Sequence, residues 1–256
     1  MFRPRIIGFV CNWALPKRIE IPSFPRMKIY PKMQVVQVMC VGRIDPVIVL
    51  DTFAKGADGV LLVGCPLPDC HFVKGNIQAE NKTKILKKLL SLTGLEPERL
   101  QLEWAYATEI EPFSTIVDAF RNHIIKLGQS PLVGENSDEK ILSNILAAKN
   151  AVADFSLRVL TGREEELTEA MNAYGKRIPQ EEFDDLLDEI VNREFLRHKI
   201  HLLTSQKLLS VKEIATIVNH RPALILRQIA DMTSKHMIAL DHVEETTPLY
   251  KALEVK

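Results

Sequence analysis

The feature that most constrains the fold is a continuous apolar run in this 256-residue sequence, "VLLV", bounded by Gly59 and Gly64. An apolar stretch without alternation is typical of a strand that is covered on both faces, as in parallel sheets. A segment with helical spacing precedes it, with Asp45 as the predicted N-cap and Pro46 as the first helical residue. Another follows it and ends at Gly94. The pattern predicts an α/β fold.

Further strand and helix signals continue this alternation up to about residue 128. Predicted strands cover 5–11, 33–40 and 99–107, and predicted helices cover 76–94 and 109–128. Alternating strands and helices are joined by crossover connections, which place the strands parallel and the helices over the sheet. We therefore expect an open parallel sheet flanked by helices, of the flavodoxin or Rossmann type.

The formal charge changes sign near residue 130, from +5 up to Ser130 to −5 from Pro131 onward. A connector rich in turn residues occupies this point. Beyond it, apolar spacing predicts helices, and the last segment has a helix capped by Ser210, a second helix starting at Pro222 and a two-stranded wing. The sequence predicts a domain over 1–130, a helical connector over 131–190, and a winged-helix-like docking module over 191–256.

Composition limits the classes of partner and compartment. The formal net charge is zero, which predicts no polyanionic partner, and the acidic second half argues against nucleic acid binding. No apolar run approaches the roughly 20 residues that span a bilayer. Only four cysteines are present, unlike a small secreted disulfide framework. We expect a cytoplasmic protein whose first predicted strand is not a signal peptide.

All four cysteines are expected at one edge of the predicted sheet. Cys11, Cys40 and Cys65 each end a predicted strand, and Cys70 lies in the loop after the third. The carboxyl ends of parallel strands meet at a single edge, which is where such sheets bind ligands. We therefore expect the four sulfurs to converge.

Several chemical roles are compatible with this arrangement. A single buried cysteine is most often a small apolar residue. A Cys65–Cys70 disulfide is disfavoured by a cytoplasmic setting. Zinc sites favour cysteine pairs two to four residues apart, and Cys65-x₄-Cys70 lies at that margin, while C-x₄-C also occurs in a ferredoxin ligand pattern. Spacing alone leaves these possibilities open.

Residues 5 to about 125 resemble the delta subunit of methyl-viologen-reducing hydrogenase, a small iron–sulfur protein. The matching segments are "FVCNW", "VMCVGRIDPVIVLDTFAKGADGVLLVGC", "DCHFVKGNIQAENK" and "ERLQLEWAYATE". The resemblance implies a 2Fe–2S cluster held by Cys11, Cys40, Cys65 and Cys70. It also implies a non-catalytic electron-transfer subunit of a hetero-oligomer, which connects a hydrogenase, formate dehydrogenase or other reductase subunit to a heterodisulfide-reductase-A-like flavoprotein.

Two departures from that family's pattern concern the cluster. Val10 and Ala14 occupy places where family members often carry further cysteines, so the site would be one sulfur short if Ala14 stood in a ligand's place. Pro66 and Pro68 remove backbone N–H donors from the loop before Cys70.

Basic and aromatic residues next to the cysteines are candidates for supporting roles. Arg43, His71 and Lys74 could offset the negative charge of a cluster. Arg43 could instead pair with Asp45, and His71 could be a replacement ligand or a core histidine. Trp13 is predicted to cover the cluster edge or to pack in the core.

Two rival functions follow from the residues alone. The first is a zinc-containing or redox-responsive regulator whose tail binds DNA. The second is a structural adaptor without a cofactor. A variant of the main hypothesis keeps the cluster but places it in an assembly that serves another reductase.

Overall fold

The computed structural model describes residues 2–15, 27–30, 33–106, 108, 110–134, 137–171 and 175–254. The chain divides into two compact units, Met1–Val191 and Asn192–Lys256. The helical segments between residues 139 and 169 are grouped with the first unit, and the second begins at Asn192. The three-part domain division made from the sequence stays a prediction.

The first unit contains a five-stranded sheet. Its strands are β1 (Ile6–Cys11), β2 (Met27–Tyr30), β3 (Met33–Val38), β4 (Gly59–Gly64) and β5 (Leu100–Trp104). Their order is β2-β3-β1-β4-β5, and all neighbours are parallel except β2, which pairs antiparallel with β3. The predicted parallel sheet flanked by helices is confirmed over four strands; the edge strand β2 was not predicted.

Helices follow the strands as the sequence predicts. They are α1 (Pro46–Ala54), α2 (Gly75–Thr93), α3 (Ile110–Leu127), α4 (Glu139–Ala153), α5 (Phe155–Glu169) and α6 (Gln180–Gln206), the last of which runs on into the second unit. The Asp45 carboxylate accepts a hydrogen bond from the N–H of Val47 at 3.0 Å, so it caps α1 as predicted. Gly94 ends α2 with φ +90°, a backbone conformation that favours glycine.

The strand order places a switch point between β1 and β4. From β1 the chain passes to β3 on one side, while β4 and β5 lie on the other. In open α/β sheets the crevice at such a point, beyond the carboxyl ends of the strands, is the usual ligand site. β1 ends at Cys11, and Cys65 directly follows β4.

Buried polar contacts fasten the opposite end of the sheet. The Asp58 carboxylate accepts hydrogen bonds from the backbone N–H groups of Arg5 and Ser130, both at 2.7 Å. The buried Arg99 guanidinium donates to the carbonyls of Asp58 and Gly128, both at 3.0 Å. These contacts join the start of β1 to the segment that follows α3, because buried donors and acceptors need partners.

The helices after residue 130 are attached to α2 by ion pairs. Lys84 pairs with Glu164 at 3.0 Å and with Asp184, and Lys88 pairs with Asp188. Glu164 belongs to α5, and the two aspartates belong to α6. Acidic runs such as 163–170 and 181–189 are usually solvated, but part of each here pairs with lysines of α2.

Replacing Lys84 with methionine is expected to lower the free energy of unfolding by about 2–3 kcal/mol, because the nearly buried Glu164 carboxylate would lose its cation. Urea denaturation followed by circular dichroism measures this. The double variant Lys84→Met/Glu164→Leu removes both charges and should recover most of the loss. Equal destabilisation of the single and double variants would contradict the explanation.

The second unit combines helices with a small antiparallel sheet. Its elements after α6 are β6 (Leu209–Ser210), α7 (Val211–Val218), α8 (Pro222–Ser234), β7 (Ile238–Glu244) and β8 (Thr247–Ala252), with sheet order β6-β8-β7. The Ser210 hydroxyl accepts from the N–H of Glu213, whose carboxylate accepts in return from the N–H of Ser210. Ile214, Ile225 and Met232 lie in its core.

No helix among the described residues is both long enough and apolar enough to cross a bilayer.

Candidate metal centre

Each cysteine stands at the carboxyl edge of the sheet. Cys11 is the last residue of β1, and Cys65 directly follows β4. Cys40 lies two residues beyond β3, where it begins a short 3₁₀ turn over Val41–Arg43, rather than ending the strand as predicted. The sulfurs of these three residues belong to buried side chains, and Cys70 is half-buried in the following loop.

Cys11 and Cys65 form one close sulfur pair. Their Sγ atoms are 3.7 Å apart, far beyond the roughly 2.05 Å of a disulfide. Two thiolates bound to one tetrahedral metal ion, each about 2.3 Å from it, lie about 3.8 Å apart. This pair therefore has the separation that two ligands of one metal ion need.

Cys40 and Cys70 meet at Gly75, the first residue of α2. A methyl group built on Gly75 would lie 2.5 Å from Cys40 Sγ and 3.2 Å from Cys70 Sγ. Both sulfurs therefore touch the same face of one glycine. The absence of a side chain at Gly75 therefore gives both sulfurs the space that they occupy.

The four sulfurs do not form one tight cluster: Cys11 and Cys65 are close to each other, and Cys40 and Cys70 lie next to Gly75. In the described part of the chain, no three cysteine sulfurs all lie within 4.8 Å of one another. The cysteines are nevertheless close enough to interact, since Cys65 and Cys70 each raise the pKa of the Cys40 thiol, in addition to the larger effect of burial.

Backbone groups favour the charged form of two of the thiols. The backbone of Trp13 lowers the pKa of Cys11, and the backbone of Gly42, with a smaller effect from Arg43, lowers that of Cys40, while the N–H of Arg43 donates to the carbonyl oxygen of Cys40 at 3.1 Å. Burial nevertheless raises the pKa of the Cys11 thiol to about 12, against the lowering effect of the Trp13 backbone and with a further rise from Cys65. Without a bound cation these thiols keep their protons; a metal would displace them.

Two glycines permit the turn that carries Cys40 to approach α2. A methyl group built on Gly42 would lie 2.0 Å from the carbonyl oxygen of Gly75. Real side-chain atoms do not approach that closely, so position 42 accepts only glycine in this geometry. The contact sets the distance between the Cys40 turn and the start of α2.

Lys82, on α2, supports the Cys40 turn and was missed by the sequence analysis. Its ammonium donates to the carbonyl oxygens of Gly42 at 2.6 Å and Ile44 at 3.1 Å. Burial lowers the pKa of Lys82, while Asp45 and Cys40 act in the opposite direction. Only the apolar spacing of α2 was apparent in the sequence, and it does not indicate that a polar-face lysine turns toward a loop 40 residues earlier.

The candidate supporting residues take different positions. Arg43 is exposed, and Asp45 pairs with Arg158 at 2.8 Å rather than with Arg43. Lys74 pairs with Glu165 at 2.5 Å. Arg43 therefore contacts Cys40 through its backbone, and its side chain is exposed.

An aromatic stack lies beside the cysteines. The exposed His71 ring stacks on the Trp13 ring, with centroids 3.7 Å apart, and meets Phe72 edge-on at 4.9 Å. Trp13 is 46% exposed, so it lies at the surface of the site rather than in the core. The roles of Arg43 and His71 toward a cofactor stay predictions.

Val10 and Ala14 are both buried, and the N–H of Ala14 donates to the carbonyl of Cys11 at 3.0 Å. Although the family's further cysteines are replaced here, Cys11 reaches Cys65. The described residues therefore supply four converging sulfurs without a contribution from position 14.

Comparison with known proteins covers the first half of the chain. The family described as methyl-viologen-reducing hydrogenase, delta subunit, matches residues 6–128. The D-type iron–sulfur subunit of the F420-non-reducing hydrogenase of Archaeoglobus profundus is 38% identical over 127 residues, which are 50% of this chain and 93% of the relative. The corresponding iron–sulfur subunit of Methanococcus voltae is 35% identical, over 51% of this chain and 91% of the relative.

A larger relative contains the same region as a part. The A-type subunit of the ferredoxin/F420H2-dependent CoB–CoM heterodisulfide reductase of Methanosarcina acetivorans is 34% identical over 125 residues, which are 49% of this chain and only 16% of the relative. Because the family match contains all four cysteines, and a relative 38% identical is covered almost completely, the chain belongs to the methyl-viologen-reducing hydrogenase delta subunit family.

Proposed function

We propose that this chain is an electron-transfer subunit that carries one 2Fe–2S cluster on Cys11, Cys40, Cys65 and Cys70. The observation that carries the proposal is the arrangement of the sulfurs, with 3.7 Å between Cys11 and Cys65 and with Cys40 and Cys70 both next to Gly75. A binuclear cluster needs two ligands on each of two irons. The names of the relatives, which are iron–sulfur subunits, support the same class of cofactor.

The arrangement favours a binuclear cluster over a single zinc ion. Tetrahedral zinc holds four sulfurs within about 3.8 Å of one another. Among the described cysteines no three sulfurs approach within 4.8 Å of one another, so a single ion would require two of them to move. Two irons suit an arrangement in which Cys11 and Cys65 lie 3.7 Å apart and Cys40 and Cys70 both lie next to Gly75.

The protein residues have three tasks at this site. The backbone groups of Trp13 and Gly42 lower the pKa of Cys11 and Cys40, and so stabilise negative charge on these two sulfurs. Lys82 supplies a nearby positive charge, which helps to offset the formal charge of about −2 on an oxidised core with four thiolates. The sheet and the close contact between Gly42 and Gly75 shield the sulfurs of the three buried cysteines, Cys11, Cys40 and Cys65, from water. When bound, the cluster would accept and release single electrons.

Exposed apolar side chains next to the cysteines suit the docking of redox partners. Trp13, Met39, Phe72 and Val73 are all exposed, although each neighbours a cysteine or the aromatic stack. Contiguous exposed apolar residues often mark protein contacts. Such contact would bring a partner's redox centre near the half-buried Cys70, the sulfur closest to the surface.

The partners that we propose are a hydrogenase, formate dehydrogenase or other reductase subunit on one side and a heterodisulfide-reductase-A-like flavoprotein on the other, in a cytoplasmic hetero-oligomer. Support comes from relatives whose names place them in F420-non-reducing hydrogenases and in CoB–CoM heterodisulfide reductases.

For the second unit we propose a winged-helix-like docking module. Helix α7, helix α8 and the β7–β8 hairpin occur in the order of that fold, with a three-stranded sheet. Helix α8, which corresponds to the recognition helix of DNA-binding winged helices, carries Arg227 near its middle, with Arg221 before it and Lys235 after it. We do not propose DNA binding, because the half-chain is acidic.

Anaerobic purification of the full chain, followed by iron, sulfide and zinc analysis and EPR of the reduced protein, tests the cofactor. We expect two irons and two sulfides per chain and a rhombic signal from a reduced binuclear cluster. One zinc without sulfide would refute the cluster and favour the regulator, and a protein without any metal would favour the adaptor. Pull-down from anaerobic native extract, with mass spectrometry, then tests the partners.

A further inference from the structure

A second candidate site lies in a cavity of about 250 Å³ on the other side of the Cys40 turn. Its walls come from the start of α1, from α2 and from α5. The family match ends at residue 128, so α5, which begins at Phe155, is contributed by the part of the chain outside that match. All of these residues belong to the first unit.

Three cations line this cavity against one carboxylate. The cations are Arg43, Lys82 and Arg158, and the carboxylate is Asp45. Asp45 is already engaged, since it accepts from the Val47 N–H at 3.0 Å and from Arg158 at 2.8 Å. An excess of two positive charges in a concave site attracts a dianion.

The guanidinium of Arg43 has N–H donors that are available to a ligand. In the part of the chain that the structure describes, its side chain has no hydrogen-bond or ion-pair partner. Burial lowers the pKa of the neighbouring Lys82, and the positive charge of Arg158 lowers it further, so the cations repel one another. A bound anion would relieve that repulsion.

We propose that this cavity binds a small dianion of the phosphate type, held by Arg43, Lys82 and Arg158. A guanidinium offers two parallel N–H donors to a phosphate, which is the geometry that makes such contacts strong. The volume is below that of ordinary drug-sized sites, which fits a ligand of few heavy atoms. The proposal does not depend on the identity of the metal centre.

Gly162, on the α5 wall, provides a sharp test. A methyl group built there would meet nothing within 4 Å, so the cavity can accept a side chain at this position. Gly162→Glu would place a carboxylate among the cations, where it would compete with a ligand. The change should not weaken the helix, since glycine is less favourable than glutamate in a helix interior.

Isothermal titration of the full chain with inorganic phosphate, at constant ionic strength, measures binding. We expect saturable binding by the native chain, a rise in Kd of about tenfold or more for Arg43→Gln, and loss of binding for Gly162→Glu with an unchanged or higher Tm. Arg163→Gln is the control, because Arg163 lies on α5 but pairs at the surface with Glu166. A small phosphomonoester and succinate, titrated in parallel, distinguish free phosphate, phosphate esters and dicarboxylates.

The absence of saturable binding of any of these anions by the native chain would overturn the proposal. So would binding by Gly162→Glu that equals the native value. Equal weakening by Arg43→Gln and Arg163→Gln would also overturn it, since net charge alone would then explain the effect.

Discussion

Gly75→Ala is expected to abolish iron and sulfide binding while the rest of the first unit stays folded. The added methyl group would lie 2.5 Å from Cys40 Sγ and 3.2 Å from Cys70 Sγ, so the first sulfur has to move. Cys40 cannot retreat easily, because its turn already contacts Gly75 through Gly42 and is held by Lys82. One methyl group would therefore displace at least one of the two sulfurs next to Gly75, those of Cys40 and Cys70.

Iron and sulfide content per chain, with the visible absorbance of the anaerobically purified protein, measures the effect. Gly162→Ala is the matched control, because its methyl group meets nothing within 4 Å. It should load normally and be slightly more stable. If Gly75→Ala binds iron and sulfide as the native chain does, the placement of Cys40 and Cys70 around this glycine is wrong.

Sequence reasoning identified the sheet because its evidence is local and redundant. The run Gly59–Gly64 has no alternation, Asp45 and Pro46 mark the start of α1, and Gly94 marks the end of α2. Each of these signals depends on a few adjacent residues. The rule that parallel strands end at one edge then placed the cysteines near each other, and the 3.7 Å between Cys11 and Cys65 agrees with that expectation.

Features that depend on contacts between distant residues escaped the sequence analysis. The edge strand β2 is only four residues long and owes its place to pairing with β3. Lys84 and Glu164 are 80 residues apart, and each alone looks like an ordinary surface charge. Charge runs indicate solvent exposure on average, but they do not indicate which members find partners when helices α4 to α6 pack against α2.

The same limit explains the supporting residues at the metal centre. Proximity in sequence suggested Arg43 and Lys74 as the cations, yet Lys74 pairs with Glu165. Lys82 is far from Cys40 in the sequence but reaches its turn because α2, on which it lies, starts at Gly75 in contact with Gly42. Several turns of α2 could contact the loop that carries Cys40, and no pattern of neighbouring residues indicates which turn does.

Lys82→Met is expected to lower both the free energy of unfolding, by weakening the Cys40 turn, and the reduction potential of the proposed cluster. Two carbonyls, of Gly42 and Ile44, would lose their charged donor, which costs about 2 kcal/mol of unfolding free energy. A reduced cluster carries one more negative charge than an oxidised one, so a nearby cation favours reduction. Loss of about 1 kcal/mol of that attraction would lower the reduction potential by on the order of 40 mV.

Redox titration monitored by EPR, together with urea denaturation, separates the two effects. Lys82→Arg keeps the charge and should restore most of the potential, even if the larger guanidinium binds the carbonyls less well. Lys87→Met removes the same charge from an exposed position on α2 and should leave both measurements nearly unchanged. If Lys82→Met and Lys87→Met shift the potential equally, the effect comes from net charge, and the contact between Lys82 and the Cys40 turn has no part in setting the potential.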